Sequence, residues 1–286
     1  MEEIKARIEE ILKKQAAFEK LVSSLQDDFL EAVLLQFKEL VTDPESLDAF
    51  FVQFVRDYHV PVIEHLSKDL LSIIESNIAY FQGQTLIDDY IVQKLGDALR
   101  ESFGFTASGE ISQVGYLQDI VQDTSVKRTF RSQLIKLNPD SINKRTAKEI
   151  KDFIAGNDEK MGIWESFYSA TDSAGSSIFD SYQKADRIAQ NVFSDELKLN
   201  AALYVGGVIS GSRKFCKDRN GKVFLRSEIA SWQTLEFSGK PKTGYNPFTD
   251  LGGYRCRHHL SWILDTTAMR LDKDLYLNEN NQLLRK

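Results

Sequence analysis

Both cysteines of the 286-residue chain fall near its C-terminus. They are Cys216 and Cys256, forty positions apart, and His258 and His259 follow the second of them closely. Two thiolates and an imidazole form a donor set suited to zinc, which takes Cys and His ligands in tetrahedral sites. Cys216, Cys256 and His258 or His259 are therefore the candidate metal ligands, with Asp218, Asp250 or nothing as a fourth. Neither cysteine sits in a Cys-x-x-Cys knuckle, so the spacing also admits a metal-free knot. In that arrangement the cysteines pack as small hydrophobes and Arg255 or Arg257 ties loop carbonyls together.

Other chemistry is less well served by these residues. Adjacent histidines near acids in a basic segment suggest a metal-dependent nuclease. A ββα-metal site, however, needs ligands on a helix that follows the histidine strand, and no such element is expected after His259. Lys214 and Lys217 would lower the pKa of Cys216, but no acid, base or oxyanion pattern accompanies it. No phosphate loop, dinucleotide fingerprint or zinc-protease motif occurs, and no catalytic residue is assigned. His59 and His65, on proline-interrupted helices, read as partly exposed or core-satisfied, and Trp164, Trp232 and Trp262 as core anchors.

The cysteines are embedded in positive charge. Between Gly206 and Leu260 the basic residues are Arg213, Lys214, Lys217, Arg219, Lys222, Arg226, Lys240, Lys242, Arg255 and Arg257, against Asp218, Glu228, Glu236 and Asp250. Ten minus four makes this segment +6, so a net charge of −6 leaves −12 on the remainder. A basic module on an acidic scaffold suits contact with a polyanion or an acidic protein face. All of these basic residues except Arg226 are candidates for that contact. The alternative is a solvated surface that pairs with acidic helices of the same chain. Eight of the chain's 16 glycines lie between Gly206 and Gly253, where helical rhythm stops. Lys222–Leu225 alternates as a short strand, Ser227-Glu228-Ile229 starts a short helix carrying Trp232, and Gly239 to Pro247 is loop. This segment, 206–265, is a small irregular α+β module.

Helices must carry it. Ile4, Ile8, Ile11, Phe18, Val22, Leu25 and Phe29 repeat in an alternating four-three rhythm with Gln15 in the missing place, a coiled-coil-like face suited to a partner helix. The spacing then lengthens through Val33, Phe37 and Leu40, a stutter that locally unwinds a supercoil. Asp43-Pro44 restarts a helix through Leu47, Phe51, Phe54 and Val55, and Pro61 kinks or divides it. Further helices are expected over Val62 to Phe81 and Leu86 to Leu99. Gly104 to Gly109 is the first convincing break and closes a helical docking region, 1–108. Helices at 116–121, 129–137 and 142–154, a turn at Asn138-Pro139-Asp140, and helix continuing to about Tyr204 make a helical domain, 109–205. The stretch Ser169 to Ser177 is either linker or close-packed helix. The polar tail, 266–286, is either mobile or an arm ordered by a neighbouring subunit. The fold class is thus mainly α, with long coiled-coil-like N-terminal helices, a helical middle and the Cys/His module.

Several elements together resemble the minor head, or head-morphogenesis, proteins of tailed bacteriophages, the family typified by the phage Mu F protein. They are Arg187-Ile188-Ala189, Ser212-Arg213, Cys216, Asn220-Gly221-Lys222 and Gly253-Tyr254-Arg255-Cys256-Arg257-His258, over roughly residues 180–263. Gly253 and Tyr254 stand where the commoner family ending has His-Pro, and His258 replaces a final cysteine. The resemblance implies a non-enzymatic virion protein inside the capsid near the portal vertex, aiding head assembly and DNA packaging or ejection. Portal protein, capsid proteins and packaged DNA are the implied partners, with self-association through the N-terminal helices. Structural zinc is the one cofactor to be considered. A metal-dependent nuclease or processing enzyme and a helical cargo or scaffold adaptor are the alternatives.

The composition fits this frame. With 42% hydrophobic and 27% charged residues the chain is long enough for a real core. No apolar run approaches the roughly 20 residues that span a bilayer, and no secretion signal opens the sequence. Residence in the host cytoplasm during assembly is expected, with no membrane partner and with free, buried or metal-bound cysteines.

Overall fold

The computed structural model describes residues 2–42, 49–50, 53, 57, 60–83, 88–106, 156–157, 160–161 and 181–286. The four-three rhythm becomes one continuous helix, α1 (Glu2–Thr42). Ile4, Ile8, Ile11, Phe18 and Val22 are buried, and Gln15 is buried with them. The partner of this stripe lies within the chain: α1 packs on α2 (Val60–Gln82) and α4 (Ser181–Glu196). Each such apolar side chain contributes about 1.5–3 kcal/mol on burial, so the face is used for folding along this stretch.

Pro61 lies in the first turn of α2, and most of the residues just before it, 54–56 and 58–59 among them, lie outside the described residues. In the first turn its missing N–H has no intrahelical bond to lose. Val62, Leu66, Leu70, Ile73, Ile74 and Ile78 then line the buried face of α2. Helix α3 (Asp89–Phe103) begins where the Asp88 carboxylate accepts a hydrogen bond from Tyr90 N at 2.8 Å, a few residues later than the spacing suggests. A short antiparallel pairing joins β1 (Gly156–Asn157) to β2 (Lys160–Met161). Most of the helix expected after Asp43-Pro44 lies outside the described residues, as do His59, Trp164, Ser169 to Ser177, the Asn138-Pro139-Asp140 turn and the helices expected at 116–121, 129–137 and 142–154.

The chain departs from expectation after α4. Helix was expected to about Tyr204, but Lys198 adopts φ 53° and the chain re-enters as strand β3 (Ala201–Gly206). This strand is central in an antiparallel sheet of order β4-β3-β5, with β4 at Lys222–Leu225 and β5 at His258–Ile263. A strand covered on both faces reads as an apolar run, and periodicity cannot tell such a run from buried helix. Helix α5 (Lys214–Arg219) lies between β3 and β4. After β4 come α6 (Arg226–Ser231) and a 3₁₀ turn at Trp232–Thr234, with Glu228 Oε2 accepting from Leu225 N at 2.7 Å. The small α+β module is therefore present, on a mostly helical body. Trp232 and Trp262 are buried anchors, as their type suggests.

Two further expectations fail. A strand does begin at His258, and helix α7 (Asp265–Leu271) follows it. That helix starts at the far end of the six-residue strand, about 17 Å from His258 at the rise of an extended chain, so the arrangement builds no ββα-metal site. The polar C-terminus is an ordered hairpin, β6 (Leu275–Leu277) with β7 (Leu283–Arg285). Arg285 fastens it to the module by donating to Glu228 Oε1 at 2.7 Å, Asp272 Oδ2 at 2.6 Å and Val223 O at 2.9 Å. No helix among the described residues is long and apolar enough to cross a membrane.

Candidate metal centre

The pleat of β5 decides where its histidines go, because successive side chains of a strand point to opposite faces. His258 stacks on Tyr204 of β3, ring centroids 5.1 Å apart, on the face that carries the irregular module. Cys216 reaches the same point from α5, and Cys256 from the loop just before β5. The two sulfurs are 3.7 Å apart and Cys256 Sγ is 3.9 Å from His258 Nδ1. Donor atoms of all three residues lie within 4.8 Å of one another, and all three residues are buried. The cysteines are free thiols, far beyond the roughly 2.05 Å of a disulfide. Metal–sulfur bonds of about 2.3 Å in a tetrahedral site place two thiolates about 3.8 Å apart. The group can hold a metal ion.

The surroundings hold the thiols in place. The Cys216 hydrogen bond keeps the Cys256 thiol well below its ordinary range against the cost of burial, with His258 and Arg187 adding to the effect. The same bond, together with burial, pushes Cys216 up. Tyr204 donates to Cys216 Sγ at 3.4 Å, and burial raises its phenol pKa, so it remains a donor. Gly252 passes so close that a Cβ there would collide with the Cys216 sulfur and sit 3.0 Å from Cys256 Sγ. The loop that delivers Cys256 is itself bent sharply, with φ 48° at Leu251 and 54° at Arg255, conformations that cost non-glycine residues about 1 kcal/mol or more each.

Arg187 of α4 fixes this loop from behind. It donates to His258 O at 2.9 Å, to Thr249 O at 3.2 Å and to Cys256 O. The carbonyl-tying arginine expected at Arg255 or Arg257 is thus Arg187; those two are exposed. Asn220 of the same set of motif elements accepts from Gly206 N at 3.1 Å. A Cβ at Gly206 would lie 2.7 Å from His258 Cα, so glycine permits β3 to approach β5 at the site.

His259 is not a ligand. It points to the helical face, where its Nδ1 donates to Asp186 Oδ2 at 2.6 Å. Burial holds its pKa well below the ordinary value, with Arg187 and Arg7 adding, so the ring is neutral. Arg7 of α1 pairs with the same carboxylate and donates to Ser261 Oγ at 2.9 Å. Burial lowers its pKa to about 10, which leaves it charged at neutral pH. Asn77 of α2 donates to Asp186 Oδ1 at 3.0 Å and accepts from Gln190 Nε2 at 2.7 Å. Three helices are locked to β5 by this buried polar network.

Neither proposed acid joins the cysteines. Asp218 is exposed and pairs with Lys214 at 2.6 Å, while Asp250 Oδ2 accepts from Asn246 N at 2.7 Å. The basic candidates divide into three groups. Arg219 and Lys240 are structural: Arg219 lies over the Phe215 ring at 3.8 Å and the Trp232 ring at 4.9 Å, and Lys240 donates to Gln233 O at 2.8 Å and Leu235 O at 2.7 Å. Lys214, Lys217, Lys222 and Lys242 are exposed. Arg213, Arg255 and Arg257 surround a pocket whose floor is Cys216, Cys256 and His258.

Arg187, Tyr204, Gly252 and Asp186 were absent from the candidate residues. The Gly252-Gly253 pair and the Arg187-Ile188-Ala189 step were the signals pointing toward two of them. Comparison of the chain with protein-family models, curated proteins and solved structures finds no match.

Proposed function

We propose that the chain is a non-enzymatic virion protein of the tailed-bacteriophage minor head type, acting inside the capsid near the portal vertex, with a structural zinc ion at Cys216, Cys256 and His258. One observation carries the reading. The elements of the resemblance, dispersed over some 70 positions from Arg187 to His258, meet in one knot: Arg187 on the carbonyls of Cys256 and His258, Asn220 on Gly206, and the three donors together. Two soft thiolates and an imidazole select zinc over hard cations. No carboxylate lines the pocket above them among the described residues.

The role of the module is then to present a rigid basic surface to packaged DNA. Arg219 and Lys240 drop out of that surface, and Lys214, Lys217, Lys222 and Lys242 remain. Docking on portal protein, capsid proteins or other copies falls to the distal half of α1, where Leu35 is exposed, because the stripe from Ile4 to Val22 is buried within the chain. The test is location and stoichiometry. Purified particles should contain a few copies at one vertex, each with one zinc; a uniform distribution over the shell, or absence from the particle, would overturn the reading.

A further inference from the structure

We propose that the metal at Cys216, Cys256 and His258 keeps its fourth coordination position for an external phosphate group, which enters through the pocket flanked by Arg213, Arg255 and Arg257. This deepens the zinc reading and rests on it. The described residues bring three donors together and no fourth: Asp218 and Asp250 are engaged elsewhere, His259 faces the other side of β5, and Tyr204 already donates to the Cys216 sulfur. A tetrahedral ion with three protein ligands leaves one position for a ligand from outside. The three donor residues line a pocket with Gly207 and Gly211 at its edge, and glycines leave room there for a ligand to approach.

The charge of the pocket selects what enters. Two thiolates neutralise a divalent ion, so the net field comes from the arginines. Among the described residues none of the three pairs with a carboxylate. Arg213 donates to the Tyr254 carbonyl at 2.8 Å, Arg255 lies over the Tyr254 ring at 5.4 Å, and Arg257 is exposed. Arg213 spends one of its five N–H donors on that carbonyl, and guanidinium forks match the oxygens of a phosphate. A phosphate that gives one oxygen to the metal keeps three for the arginines, whereas a carboxylate keeps one.

The experiment uses the full chain reconstituted with Co²⁺, whose visible absorption reports the coordination of a thiolate site. Stoichiometry is measured first; failure to bind one metal per chain sinks both the zinc reading and this inference. With one metal bound, inorganic phosphate should change the cobalt spectrum saturably, whereas acetate at the same ionic strength should not. R257Q and R255Q should retain the metal and each weaken phosphate about tenfold, as expected for loss of a charge-assisted hydrogen bond. A spectrum indifferent to phosphate, an equal response to acetate, or unchanged affinity in both variants would overturn the inference and leave the metal site standing. A DNA oligonucleotide distinguishes the source. A matching spectral change assigns a nucleic-acid phosphate, and a response to inorganic phosphate alone assigns a small phosphate ligand.

Discussion

His258 and His259 are neighbours at the start of β5, yet they belong to opposite kinds of chemistry. On one face His258 meets two thiols at the floor of an arginine-flanked pocket, held by a loop with strained backbone and a glycine at van der Waals limit. On the other, His259 is neutral and closes a buried network with Asp186, Arg7, Asn77 and Gln190. The first face gathers three donors that can hold a metal ion; the second leaves only a few atoms without partners, His259 Nε2 among them. One strand therefore separates a site from its foundation, and Arg187 touches both, donating to carbonyls of the site from the helix that carries Asp186.

The sharpest break of the comparison is on the foundation side. Asp186→Ala should cost about 3–5 kcal/mol, because it leaves the Arg7 guanidinium buried without its counter-charge. The denaturation midpoint should fall with little change in slope. A loss below about 1 kcal/mol would mean that solvent reaches Arg7 and that the network is not the lock between helices and sheet.

Exchanging the histidines separates the faces directly. His258→Ala should abolish metal binding and, in excess zinc, lose the stabilisation a bound ion provides, about 2.7 kcal/mol at a hundredfold excess over Kd. His259→Ala should keep one metal per chain and cost about 1–3 kcal/mol by unpairing a buried acceptor. Metal analysis beside thermal unfolding checks both, and loss of metal in the His259 variant would collapse the distinction. Gly252→Ala belongs between them. Its Cβ collides with the Cys216 sulfur, so metal affinity should fall while the fold loses about 1–3 kcal/mol, the usual cost of overpacking. An unchanged zinc content and affinity would show that the loop yields freely.

The two faces were unequally legible. The donors Cys216, Cys256 and His258 could be found from residue type, because soft ligands are rare in this chain and cluster. The helical stripe of α1 was legible from its spacing, but a four-three rhythm says only that a partner exists, and here the partner is the same chain. The choice between His258 and His259 needed the strand, and the strand was hidden. Ala201–Gly206 reads as an apolar run, and β5 mixes histidine, serine and tryptophan on two buried faces, so neither alternates. Asp186 and Arg7 lie 179 positions apart, a pairing that only the packed helices create. The tail failed for a related reason: its polar residues include Arg285, whose partners Glu228 and Asp272 are set by folding.

The smallest effect tests the outer skin of the site. Helix α5 turns Cys216 inward and Lys214 and Lys217 outward, so the same six residues carry a donor of the candidate metal group and part of the proposed basic surface. Lys214→Gln with Lys217→Gln should leave the unfolding midpoint nearly unchanged and the metal content unchanged, since the exposed Lys214–Asp218 pair and the Lys217 bond to Ser210 O contribute little to stability. If the surface meets DNA, each lysine that contacts a phosphate contributes about 0.9 to the slope of log K against log salt, and the double variant should flatten that slope by up to about 1.8. Arg219→Gln should do the opposite, lowering stability through its lost stacking on Phe215 and Trp232 while the slope stays where it was. Equal slopes in the wild-type protein and the double lysine variant would remove α5 from the contact surface and leave the arginine-flanked pocket as the point where this face meets an anion.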